Sequence, residues 1–203
     1  MTAQPAFTRA DPDARRQSLI AATARVLAAK GAAGVSVRTI CAEAGVSAGL
    51  LRHYFASLSD AIAETYRWTG AQIDAALEAA VAAAAPDPRA RLLAYLAANF
   101  RPPIATPELL ATYVAFWSLT LSDPVVAAVR TEVYEGFRSG LEQALRAYRP
   151  DLADVRVVAV ALTALIDGLW LELSLGQAPF SAEEAEALAA QWLDALVPQA
   201  AAG

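Results

Sequence analysis

The sequence predicts an all-α protein: a three-helix head carrying a helix-turn-helix, set on a larger helical bundle. Three observations predict it. Apolar residues recur at helical spacing along the chain, and no segment shows the alternation and regular turn signals of strands. A capping residue followed by proline, the start signal of a helix, appears at Asp11-Pro12, Asp87-Pro88, Thr106-Pro107 and Asp123-Pro124. Residues 37–54, VRTICAEAGVSAGLLRHY, have the spacing of two short helices joined by a glycine turn.

Residues 1–10, MTAQPAFTRA, are neither periodic nor a charged-then-apolar leader and are expected to form a flexible arm. The head is expected over residues 11–56. Its first helix places Leu19, Ile20, Thr23, Val26 and Leu27 on one side and stops at Gly31. Ser36 caps a short helix from Val37 to Ala44, which Gly45 ends, and Ser47 caps another running to Tyr54. Ser57 and Asp60 then open a long Ala-rich helix reaching about Ala84. The three later Asp/Thr-Pro pairs start further helices, Pro150-Asp151 separates the last of these, ending near Tyr148, from one ending near Leu175, and Ser181 with Glu184 forms a capping box for the final helix. Residues 57–203 are thus read as a single bundle, giving about nine helices in the chain.

Composition narrows the function classes. One Cys, Cys41, cannot form an intrachain disulfide, and no secretory leader pattern opens the sequence, so a reducing cytoplasm is the expected location. The longest apolar stretch, Val157 to Leu171, falls short of the roughly 18–20 residues of a membrane span, and no membrane partner is expected. His53 is the only His, which leaves no second one for a metal site and no base for a Ser-His-Asp or Cys-His arrangement. No paired-carboxylate motif appears. We therefore expect neither an enzyme, nor catalytic residues, nor a metal or cofactor.

The net charge of −5 hides an asymmetry. Residues 1–60 carry seven Arg and Lys against four Asp and Glu, while the rest carries nine against seventeen. A basic head on an acidic body suits a protein whose head alone meets phosphate. Within the helix-turn-helix, Ile40 and Ala44 face inward, small Cys41 admits a close crossing, Val46 plugs the turn and Leu51 packs the second helix down. That leaves Ala48, Gly49, Arg52 and His53 outward, small residues beside long polar ones, as a helix entering a DNA major groove requires. A short hairpin serving only a core stays open on pattern alone.

From Ala14 to Ile62, through ARVLAAKG, VRTICAEAGVS and GLLRHYF, the chain resembles the TetR family of repressors. The resemblance implies a dimer bound to a double-stranded operator. It implies a base-edge role for Arg38 and phosphate roles for Ser36, Thr39, His53 and Tyr54. Ala48, Gly49 and Leu50 would lie against bases, and Arg52 would serve either role. One departure stands out: where the family commonly has a phosphate-binding Lys after Tyr-Phe, this chain has Leu58.

The bundle offers Trp68, Trp117 and Trp170 among Tyr95, Phe100, Tyr113, Phe116, Tyr134 and Phe137. Tyr and Trp rings with polar edges suit a pocket for a small molecule, although core packing alone would explain any one of them. The expected lining is Tyr113, Phe116, Trp117, Trp68, Phe100, Tyr134 and Trp170. The segments AFW at 115–117 and ALIDGLWL at 164–171 resemble the betaine-regulator (BetI) group of the same family. That implies choline or a related quaternary ammonium compound as effector. A neutral apolar effector is the competing expectation, since no carboxylate adjoins the 113–117 cluster in sequence. A helical small-molecule carrier without DNA binding is the other. Ala161, Ala164 and Gly168 form a small-residue seam, and Leu188, Trp192, Leu193 and Leu196 a stripe on the last helix. Together they predict a four-helix homodimer interface. Asp167, alone in its apolar run, is open between serving that interface and serving the ligand.

Overall fold

The computed structural model describes residues 12–197. The expected arm at 1–10 and the Asp11 cap lie outside the described residues. Among the described residues there are nine helices and no strand: α1 Pro12–Gly34, α2 Val37–Ala44, α3 Ala48–Tyr54, α4 Leu58–Ala83, α5 Pro88–Ala98, α6 Pro107–Thr120, α7 Pro124–Tyr148, α8 Val155–Ser174 and α9 Ala182–Leu196.

The caps read from sequence do their chemical work. Ser36, Ser47, Ser57, Asp87, Thr106, Asp123 and Ser181 each accept hydrogen bonds from backbone N–H groups in the first turn of the helix they precede. Each satisfies donors that would otherwise be orphaned at a helix start. Gly45 ends α2 with φ 64°, a left-handed conformation that would strain any residue bearing a Cβ. At Gly31, also at positive φ, the regular part of α1 breaks as expected.

Two cores result. The head core gathers Leu19, Ile20, Ile40, Cys41, Leu51 and Phe55 with Ala61 from the start of α4. The body core is built from α4 to α9 together with Leu27 of α1, and includes Tyr66, Phe116 and Trp170. Helix α4 belongs to both, and half-buried Leu58 packs against each of them. The position where the family's Lys would stand thus carries an apolar joint between head and body. Alternating charges reinforce the joint: Arg16 of α1 meets Glu64 at 2.7 Å, Glu64 meets Arg67 at 3.1 Å, and Arg67 meets Glu132 of α7 at 2.9 Å.

Helix α8 is longer than the apolar run read from the sequence. With 20 residues it is, by length and composition, apolar enough to cross a membrane, because the helix extends beyond the run counted in the sequence. It is also not buried on both sides within the chain. Val158, Leu162, Ile166 and Trp170 face the core, whereas Val157 (55% exposed), Val160 and Leu171 (41% each) lie on the opposite, open side.

Candidate functional site

A small cavity of about 40 Å³ opens inside the body between α4, α6, α7 and α8. Its wall includes Tyr113, Tyr134, Phe137 and Trp170, with Asn99, Thr163, Asp74 and Asp167 as the polar members. The helical period explains why these residues meet. Tyr113 projects inward from α6, Tyr134 and Phe137 sit one turn apart on α7, and Thr163, Ile166, Asp167 and Trp170 share one stripe of α8.

Polar order in the wall is specific. Trp117 donates its indole N–H to the Tyr134 hydroxyl at 2.9 Å, and Tyr134 donates to Asp167 Oδ1 at 3.0 Å. Trp170 donates to the backbone carbonyl of Asn99 at 2.8 Å, while the Asn99 side-chain amide donates to the Tyr95 and Leu96 carbonyls. Tyr113 stands edge-on to Trp170, centroids 5.2 Å apart, and edge-on to Tyr66 at 5.6 Å.

Asp167 forms no ion pair among the described residues. Burial pushes its carboxyl up to about 6, against the opposing pull of the Tyr134 hydrogen bond and of Arg130 and Arg138. Those two guanidinium groups lie instead over the Tyr134 ring, 4.2 and 5.8 Å from its centroid. Asp74 stands on α4, and its carboxyl is likewise raised, first by burial and then by Glu78. The site therefore combines aromatic walls with two carboxylates, and Asp167 has no cation paired to it. Such a site offers a cation both negative charge and ring faces.

Four of the seven lining residues expected from sequence do not line this cavity. Phe116 (0% exposed) stacks on Tyr66 at 4.1 Å within the core, and Phe100 (1% exposed) is core as well. Trp68 lies against the head core and a surface groove between α1, α4 and α6. Trp117 stands one hydrogen bond behind the wall, holding Tyr134. Position along α6 is the reason: Phe116 and Trp117 share the face of Tyr113 but stand one turn further on, where they meet Tyr66 and the Tyr134 hydroxyl instead of the cavity. Tyr113, Tyr134 and Trp170 do come together there. Sequence reasoning missed Phe137, Asn99 and Asp74 as lining residues and left Asp167 undecided. The i, i+3 pair of Tyr134 and Phe137 was the available signal.

In the head, Arg38, Gly49, Arg52 and His53 are exposed, and Ala48, Leu50 and Tyr54 half-exposed, along the α2 start and α3. Ser36 and Thr39 do not stand unengaged. Their side chains cap one another's backbone in a reciprocal box, and the Thr39 hydroxyl reaches the Gly34 carbonyl at 3.0 Å. This box fixes the start of α2, from which Arg38 projects.

On the open side of α8, Ala164 and Gly168 are exposed beside half-buried Ala161, and on α9 Trp192 is 50% exposed. Leu188 and Leu196 pack partly against the body core. Leu193, expected on the same stripe as Trp192, turns fully into the core, since neighbouring positions on a helix differ by about 100°.

Comparison with known proteins gives consistent matches over both regions. Residues 19–60 match the family of bacterial regulatory proteins of the tetR type, and residues 88–198 match the BetI-type transcriptional repressor C-terminal family. The HTH-type transcriptional regulator BetI of Burkholderia cenocepacia (strain HI2424) is 33% identical over 183 residues, covering 90% of this chain and 94% of that protein. A transcriptional regulator structure from Pseudomonas aeruginosa PAO1 superposes with a TM-score of 0.84 at 34% identity, covering 95% of this chain and 94% of the other. A regulator structure from Saccharomonospora viridis, in complex with choline, has the same fold: TM-score 0.78 at 20% identity, covering 90% and 96% of the two chains.

Proposed function

Because the chain belongs to the TetR family of bacterial regulatory proteins and carries a BetI-type repressor domain in its C-terminal part, we propose that it is a cytoplasmic repressor that binds a near-palindromic operator as a homodimer. A quaternary ammonium cation of the choline class, held in the aromatic cavity, releases it. The observation that carries the effector reading is Asp167, a half-buried carboxylate without an ion-pair partner among aromatic rings. A trimethylammonium group has no N–H to satisfy and gains instead from charge and ring faces, about 0.5–2 kcal/mol for a good cation–π contact. The choline bound to the Saccharomonospora viridis neighbour agrees with this reading.

The mechanism follows from α4. As it stands the cavity has room for only a few water molecules. A trimethylammonium cation therefore selects a state in which the wall is wider. At Gly70 that wall is tight, since a Cβ there would come within 3.0 Å of Val133 on α7. Widening this seam displaces α4, and the first turn of α4 is part of the head core. The two heads of a dimer then no longer match successive major grooves.

Calorimetry with choline and its neutral carbon isostere tests the effector reading. Choline is expected to bind and the isostere not to bind. Choline affinity is expected to be full at pH 8 and to fall as the pH drops through about 6, because protonation removes the Asp167 charge. Equal binding of both compounds, or a flat pH profile, excludes the cation site.

In the head, Arg38 is the proposed reader of a base edge, with Ala48, Gly49 and Leu50 against bases. Ser36, Thr39, His53 and Tyr54 hold backbone phosphates, Arg52 meets either a phosphate or a base, and the Ser36–Thr39 box also orients α2. Half-sites are expected about 34–36 Å apart or at a multiple of that spacing. Arg38→Ala is expected to weaken operator binding by about 1–3 kcal/mol and to relax selectivity at one base pair in each half-site. A gel-shift titration showing equal losses on operator and random DNA would reduce Arg38 to a phosphate clamp.

A further inference from the structure

The cavity has a second space on the far side of Asp74. Asp74 lines both the cavity and this outer groove of about 580 Å³ between α4, α5 and α7. Helix α7 runs beside α4 in the same direction, Arg67 meeting Glu132 and Gly70 closely facing Val133. The groove therefore continues from Asp74 and Gly136 toward Val81 and Ala147. From Asp74 to Val81 the helix rise alone gives about 10 Å.

One feature of the groove is not required by the fold. Gly136 sits in mid-helix at ordinary helical φ, where glycine costs about 1 kcal/mol relative to alanine. A Cβ there would meet nothing within 4 Å, so no close approach demands glycine either; the missing side chain only leaves the groove open. The groove is also mainly apolar, with Leu77, Val81 and Tyr95 in its lining. Asp74 and Glu78 against one Arg91 give it no preference for an anionic occupant.

We propose that the effector of this protein is larger than choline: a quaternary ammonium head in the cavity, joined past Asp74 to an extended apolar tail lying in the α4–α5–α7 groove. This rests on the cation reading of the cavity and specifies the substrate class that the site takes. Each methylene of the tail that leaves water adds about fourfold in affinity.

The test compares tetramethylammonium, hexyltrimethylammonium and octyltrimethylammonium by calorimetry on the full chain, wild type and Gly136→Phe, below micelle-forming concentrations. In the wild type the hexyl compound is expected to bind at least tenfold tighter than tetramethylammonium, and the octyl compound tighter again. In Gly136→Phe the tail gain is expected to disappear while tetramethylammonium binding is unchanged. Equal affinities for all three compounds in the wild type would overturn the tail proposal and leave the cation site standing. A gain that survives Gly136→Phe would overturn it as well, by placing the tail elsewhere. Binding of none of the three would overturn the cation reading itself. Unchanged far-UV circular dichroism and melting of the variant exclude misfolding as the cause.

Discussion

Asp167→Asn is expected to abolish the response to a trimethylammonium cation and at the same time to make the unliganded protein more stable. Both effects come from one burial. A carboxyl raised from its ordinary 3.8 to about 6 is disfavoured in its charged form by the folded protein. At one pKa unit per 1.36 kcal/mol, discounted for partial exposure, removing that charge is worth about 1–3 kcal/mol at neutral pH. Asn keeps an oxygen that accepts the Tyr134 hydroxyl, so the Trp117–Tyr134 relay survives. The sign fixes the pH window. Because the folded value lies above the unfolded one, the cost to the wild type is complete above about 6 and vanishes below 3.8. The melting gap between variant and wild type is therefore expected at pH 7–8 and should close as the pH falls toward 4. Against the ligand, unit charges roughly 5 Å apart at an effective dielectric near 20 exchange about 3 kcal/mol, some two orders of magnitude in affinity. Thermal melting with and without choline reads both quantities. A variant that is less stable than wild type at pH 7, or that still binds choline at wild-type strength, contradicts the account of the site.

Ala164→Arg is expected to convert the protein to a monomer and to remove specific operator binding without unfolding the subunit. Ala164 is exposed on the single chain, midway along an open apolar face that holds Val157, Val160, Gly168 and Leu171. A guanidinium there costs the subunit little, since water remains around it. A two-fold axis through the face would bring the same side chain in from each partner. Two like charges would then be buried without counterions, at about 3–5 kcal/mol for each uncompensated one. Sedimentation velocity is expected to show a single subunit with unchanged helix content, and gel shift on a two-half-site operator to show only weak, salt-sensitive association. A variant that remains dimeric would place the interface on another face, with Trp192 and its surroundings on α9 as the next surface to examine.

These two residues mark the line between what the sequence determines and what the tertiary structure decides. The helices were legible because their signals are local. Ser36, Asp87-Pro88, Thr106-Pro107 and the Ser181–Glu184 box act within one turn, and the inward residues of α1 recur at the period of the helix that carries them. The helix-turn-helix was legible for the same reason, with Gly45 and Leu51 only six positions apart. The cavity was not. Asp167, Tyr113 and Asp74 belong to three helices separated by dozens of residues, and only packing brings a carboxylate to the aromatic ring that has none nearby in sequence. Nor can a stripe of aromatics say which ring faces space and which faces core. The difference between Tyr113 and Phe116 is a step of one turn along the same helix, fixed by where α7 and α8 come to rest. By itself the sequence determined the helices, the head and the family, because caps, turns and periodicity act over short separations. The tertiary structure alone decided which apolar surface became core, cavity or open face, because that choice depends on the neighbours each helix meets in space.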